Sequence, residues 1–131
     1  MKIILGARGS GKTSKLIFES ATTKCYIVCK FQDDASRIFE QARLLNCTIP
    51  FPITYEEFYT RKYVGKKIPG FLIDDLESFV NYLCVGTHIK SVALTPTEVV
   101  KLVVPEELKE QLARYASLVP AEERGKYSEE E

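Results

Sequence analysis

The sequence runs to 131 residues, 45% hydrophobic and 27% charged, a balance that fits one ordinary globular domain and excludes a fibrous or wholly disordered chain. Lys+Arg and Asp+Glu both number 18, so net charge is zero and wholesale electrostatic capture by nucleic acid or an anionic membrane is excluded. Any site for a polyanion must be local. Ile3-Ile4-Leu5 is too short for a signal-peptide core, and no apolar stretch approaches the ~20 residues of a membrane span, so a cytoplasmic protein is expected.

The first element, Lys2-Ile3-Ile4-Leu5, reads as a short buried strand, followed by a glycine-rich turn and a helix through about Ser20. Cys25-Tyr26-Ile27-Val28-Cys29 is apolar without alternation, as expected for the middle of a parallel sheet. Asp33 to Leu45 carries Ala35, Ile38, Phe39 and Ala42 at helical spacing, with acids near its start that suit the helix dipole. Phe51-Pro52-Ile53-Thr54 reads as a brief strand whose start Pro50 and Pro52 keep irregular, with a short helix from about Glu56. A basic segment, Arg61 to Lys67, precedes Pro69-Gly70. Phe71-Leu72-Ile73 is a strand ending in Asp74-Asp75, and the helix after it carries Leu76, Phe79, Val80 and Leu83. Ser91 to Leu94 is expected to form a fifth strand, stopped by Thr95-Pro96. Val99 to Val104 reads either as an edge strand or as a short helix, and Pro105 opens a further helix with Leu108, Leu112 and Tyr115 on one face. From Ala121 the chain is charged and weakly apolar, so a domain over residues 1–120 and a frayed tail over 121–131 are expected.

Cysteine chemistry offers little. Cys25, Cys29, Cys47 and Cys84 lack CxxC spacing and His88 is the only histidine, which points to reduced, packed thiols rather than a zinc site.

The chemistry sits at the N-terminus. Gly6-Ala7-Arg8-Gly9-Ser10-Gly11-Lys12-Thr13 matches G-x-x-x-x-G-K-[ST] throughout, with a strand entering and a helix leaving. Glycines let the backbone wrap phosphates with its N–H groups turned inward, and the helix N-terminus adds donors and positive potential. Gly6, Arg8, Gly9, Ser10, Gly11, Lys12 and Thr13 are the expected cradle for the phosphates of ATP; Lys12 reaches the β- and γ-phosphates and Thr13 ligates Mg²⁺. Asp74, delivered by an apolar strand to the edge where ligands gather in a parallel sheet, is the expected second metal ligand; its other reading is a helix cap. Asp75 is the candidate base for an attacking water and Thr95 a candidate sensor of the γ-phosphate, with turn capping as its alternative role.

Together the P-loop, the Ile73-Asp74-Asp75 strand end and the Ala93-Leu94-Thr95 strand end resemble the RecA-like, additional-strand division of P-loop NTPases. The order is similar to the first RecA-like domain of superfamily 1 helicases: Tyr26 to Lys30 and the helix through Arg37 resemble motif Ia, and Thr54 and Phe58 match a T-x-x-x-F motif. The resemblance spans roughly residues 1–95. It implies a three-layer α/β/α sandwich with a mostly parallel five-stranded sheet, and Mg²⁺-dependent ATP binding with slow hydrolysis coupled to DNA or a protein partner. Helicases of that group usually carry Asp-Glu where this chain has Asp74-Asp75, and they use a second RecA-like domain that 131 residues do not hold. Two alternatives follow: a nucleotide-binding regulatory module, or a subunit whose site a neighbouring copy or protein partner completes with an arginine. Small free-standing chains of this type are often phage-encoded, which would place it in host cytoplasm. A small nucleotide kinase ranks lower, because no arginine-rich lid or paired-cysteine lasso is present. Arg61, Lys62, Lys66 and Lys67, interleaved with Tyr59 and Tyr63, are the expected contacts for single-stranded or duplex DNA; a solvated loop is the alternative.

Overall fold

The computed structural model describes residues 1–103. The helix expected from Pro105 and the tail from Ala121 lie outside the described residues. The elements run β1 (Lys2–Gly6), α1 (Lys12–Thr23), β2 (Tyr26–Cys29), α2 (Gln32–Leu44), β3 (Ile53–Thr54), α3 (Tyr55–Tyr59), β4 (Phe71–Ile73), α4 (Leu76–Tyr82) and β5 (Glu98–Leu102). The chain is mixed α/β, and among the described residues every strand pairing is parallel, in a sheet of two strands and a sheet of three. The described residues fall into two compact units: Thr13–Ala93, and Met1–Lys12 with residues 94–103.

In the smaller unit β1 and β5 pair in register from Lys2 opposite Glu98 to Gly6 opposite Leu102. The expected strand at Ser91 to Leu94 does not form. Those residues carry no regular structure, Val92 is 61% exposed, and the strand begins after Pro96, which has no N–H to give a ladder. β5 instead uses the β-branched pair Val99-Val100, the edge-strand alternative for that stretch.

The larger unit holds the order β3-β2-β4. Ile27, Val28 and Cys29 of the central strand are fully or almost fully buried, as both-face coverage of a parallel strand demands. α1 turns Leu16, Ile17 and Ser20 inward, and the Ser20 hydroxyl donates to the Cys25 carbonyl at 2.7 Å. α2 buries Ala35, Ile38 and Ala42, spaced three and four apart. Pro50 and Pro52 precede a β3 of only two residues, Ile53–Thr54. Thr54 then starts α3 with a capping box: its hydroxyl accepts from the Glu57 N–H, and the Glu57 carboxylate accepts from the Thr54 N–H, each at 3.1 Å. Tyr55, Phe58, Tyr63, Phe71 and Phe79 form an aromatic cluster over β4, largely with edge-to-face rings. No helix among the described residues is long and apolar enough to cross a membrane.

Candidate functional site

In the smaller unit β1 ends at Gly6 and the chain turns back through Ala7 to Lys12. Gly9 and Gly11 have φ of 80° and 93°, the left-handed region that side chains disfavour. A Cβ on Gly6 would lie 2.2 Å from the Ser10 Oγ, so the loop closes this tightly only with a bare Cα at that position. The Ser10 N–H donates to the Ala7 carbonyl at 3.1 Å. The Lys12 ammonium is part-buried and donates to the carbonyls of Gly6 (2.5 Å) and Ala7 (3.3 Å), folded onto its own loop. The Ser10 hydroxyl is buried without a hydrogen-bond partner, an arrangement that costs about 1–3 kcal/mol unless a ligand supplies one. α1 has no acidic residue in its first turn, so the positive end of its dipole is not neutralised from within the helix. The Lys12 ammonium, an orphan hydroxyl and glycine backbone form a set that fits a phosphate. Arg8 and Gly9 are exposed at the turn.

In the larger unit β4 carries Asp74 to the C-terminal edge of the sheet, where its N–H donates to the Val28 carbonyl at 3.0 Å. The Thr13 hydroxyl, 61 residues away in sequence, lies 3.4 and 3.5 Å from the two Asp74 carboxylate oxygens. Burial pushes the Asp74 carboxyl above its ordinary value; the Thr13 hydrogen bond opposes that shift and neighbouring Asp75 adds to it. A hydroxyl and a desolvated carboxylate side by side fit a hard divalent cation, whose charge would favour the ionised form that burial disfavours. Among the described residues no cluster of three or more His, Cys, Asp or Glu is placed to hold a metal. A Mg²⁺ held by one or two side chains, with phosphate oxygens and waters, needs no such cluster.

Asp75 is engaged elsewhere than expected of a base. Its backbone is left-handed (φ 65°), it forms the N-cap of α4, and its Oδ1 accepts from the Ser78 N–H at 3.1 Å. A carboxylate at this cap satisfies an orphan helix donor and suits the dipole. Thr95 is exposed in the irregular stretch before β5, so it does not end a strand as expected. The Cys29 thiol is buried and pushed up to about 12, first by desolvation and then by Asp34 and Asp74, which keeps it protonated and unreactive. All four cysteines are free.

The basic segment presents Arg61, Lys62, Lys66 and Lys67 to solvent, with Arg61 at φ 59°. Tyr63 is withdrawn from it, stacked on Phe58 with ring centroids 5.7 Å apart and meeting Phe71 edge-on at 4.9 Å. Tyr59, 67% exposed, is the tyrosine left for stacking on a base. Lys62 and Lys30 line a cavity of about 320 Å³ that also includes Glu56, Glu57 and Tyr82, so its cations are partly offset.

Tyr55 is a residue that sequence reasoning passed over. It is 1% exposed, and its hydroxyl lies 3.0 Å from the Asp74 carbonyl and 3.2 Å from that of Asp75. Its position directly after Thr54 carries no motif signal for such a role. Compared with protein-family models, curated proteins and solved structures, the chain matches none.

Proposed function

We propose that this chain is a Mg²⁺-dependent ATP-binding P-loop protein of the RecA-like kind, with a five-stranded parallel sheet between helical layers and weak ATPase activity coupled to DNA or a protein partner. The observation that carries the reading is the Thr13–Asp74 contact. Thr13 is the last position of the P-loop motif and Asp74 a strand-ending carboxylate 61 residues further on, and the two side chains are neighbours in space. Lys12 and Thr13 are consecutive in the chain.

In this reading Lys12 leaves the carbonyls of Gly6 and Ala7 for the β- and γ-phosphates, trading neutral acceptors for charged ones. The N–H groups of Gly9 to Thr13 and the Ser10 hydroxyl surround the phosphates, while Arg8 sits at the mouth of the loop. Thr13 and Asp74 would hold Mg²⁺, which when bound would offset the negative charge of the phosphates. No adenine-reading or guanine-reading motif occurs in the sequence; the absence of N-K-x-D favours ATP.

A second reading, a nucleotide-binding module without hydrolysis of its own, is favoured by Asp75, whose carboxylate already serves α4. A protein partner or second copy supplying an arginine would then complete the site. The first experiment is Mg²⁺-dependent ATP binding and hydrolysis, with and without single-stranded DNA, beside Lys12→Ala. Loss of the Lys12 hydrogen bonds to phosphate is expected to weaken ATP by about a hundredfold or more. Equal affinity in the variant removes the P-loop reading. Binding without turnover selects the regulatory module or a site that a partner chain completes.

A further inference from the structure

We infer that Tyr55 is the positioning residue for the metal-binding carboxylate, an inference that rests on the Mg²⁺-dependent reading above. Asp74 is held at three points. Its N–H donates to Val28 in the sheet, its side chain meets the Thr13 hydroxyl, and its carbonyl accepts from the Tyr55 hydroxyl at 3.0 Å. The same hydroxyl reaches the Asp75 carbonyl at 3.2 Å, across the left-handed residue where β4 turns into α4. The Asp75 carbonyl has another donor, the Phe79 N–H at 3.1 Å, so the Asp74 carbonyl depends more on Tyr55.

Tyr55 itself has little freedom. The Thr54–Glu57 capping box fixes its backbone at the start of α3, and its ring meets Phe79 edge-on at 5.1 Å and Tyr82 at 5.6 Å. A ring so fixed keeps the buried hydroxyl against the carbonyls of Asp74 and Asp75, with the Asp74 carbonyl the nearer of the two. Groups that orient a ligand from behind typically change metal affinity by about 10- to 100-fold when lost.

The test measures fluorescent ATP-analogue affinity as a function of free Mg²⁺, and separately in EDTA, for wild type, Tyr55→Phe and Phe79→Leu. Tyr55→Phe keeps the ring and removes the donor. It is expected to raise the Mg²⁺ concentration for half-maximal binding about tenfold while leaving affinity in EDTA within about twofold. Phe79→Leu loosens the same aromatic cluster without touching the donor. It is expected to lower the melting temperature and leave the Mg²⁺ dependence at the wild-type value. An unchanged Mg²⁺ dependence in Tyr55→Phe, or the same loss in Phe79→Leu, overturns the positioning role and leaves the P-loop reading standing. Wild type that binds no nucleotide, or binds it without regard to Mg²⁺, overturns both.

Discussion

Asp74 is the residue whose charge the fold resists. Burial raises its carboxyl above the ordinary value of 3.8, so the folded chain holds this proton more tightly than the unfolded chain does. The sign follows from linkage. The stability this group contributes is present at low pH, is lost as pH rises through the folded-state value, and above it the desolvated carboxylate is a net cost. Asn in its place keeps an acceptor for the Thr13 hydroxyl without the charge. Asp74→Asn is therefore expected to melt higher than wild type at pH 7 without ligand, with the gap closing toward pH 4. Mg²⁺ and ATP should raise the wild-type melting temperature and do much less for the variant. Thermal melts at both pH values check this; a variant less stable at pH 7 would mean that a partner already offsets the charge. A carboxylate held at such a cost is what a metal site needs, since its full stabilisation arrives only with the cation.

At the scale of elements, the turn from β4 into α4 sets what Asp75 can do. As the N-cap of α4 it spends an oxygen on the Ser78 N–H. Asp75→Ala is expected to cost about 1 kcal/mol of stability in urea unfolding, whereas Asp75→Asn, which caps well and tolerates the left-handed backbone, should stay within about 0.5 kcal/mol. ATP turnover in Asp75→Asn then separates cap from base: activity within about twofold of wild type excludes base catalysis by this carboxylate. Elements whose signal is local were legible in the sequence: the unbroken apolar run of β2, the three-and-four spacing of α2, and β4 ending in its carboxylates. The strand expected at Ser91 to Leu94 was misplaced because β-branched residues lie on both sides of Pro96, and only pairing with Lys2–Gly6 decides between them. The Tyr55 hydroxyl bond joins residues 19 positions apart, and no periodicity reports such a contact. Likewise Tyr63, polar enough to read as part of the basic loop, is claimed by Phe58 and Phe71.

For the whole molecule, zero net charge means that any affinity for DNA must come from a few placed cations, and this makes the basic segment testable by salt. Single-stranded DNA gives a slope of about −0.7 in log affinity against log salt for each phosphate neutralised. Lys66 and Lys67 are exposed and no ion pair claims them among the described residues, so their joint replacement by alanine should leave the fold intact. If both contact phosphate, the slope should become shallower by about 1.4, two phosphates at 0.7 each. The tyrosines should divide. Tyr59→Ala is expected to weaken binding by about 1–3 kcal/mol with little change in slope, because stacking releases no counterions. Tyr63→Ala should instead lower the melting temperature, since its ring packs on Phe58 and Phe71. Fluorescence anisotropy with an oligothymidylate over a range of salt measures all three. A slope unchanged by the double lysine replacement takes the basic segment out of DNA contact, and the coupling of ATP to a protein partner becomes the surviving form of the proposal.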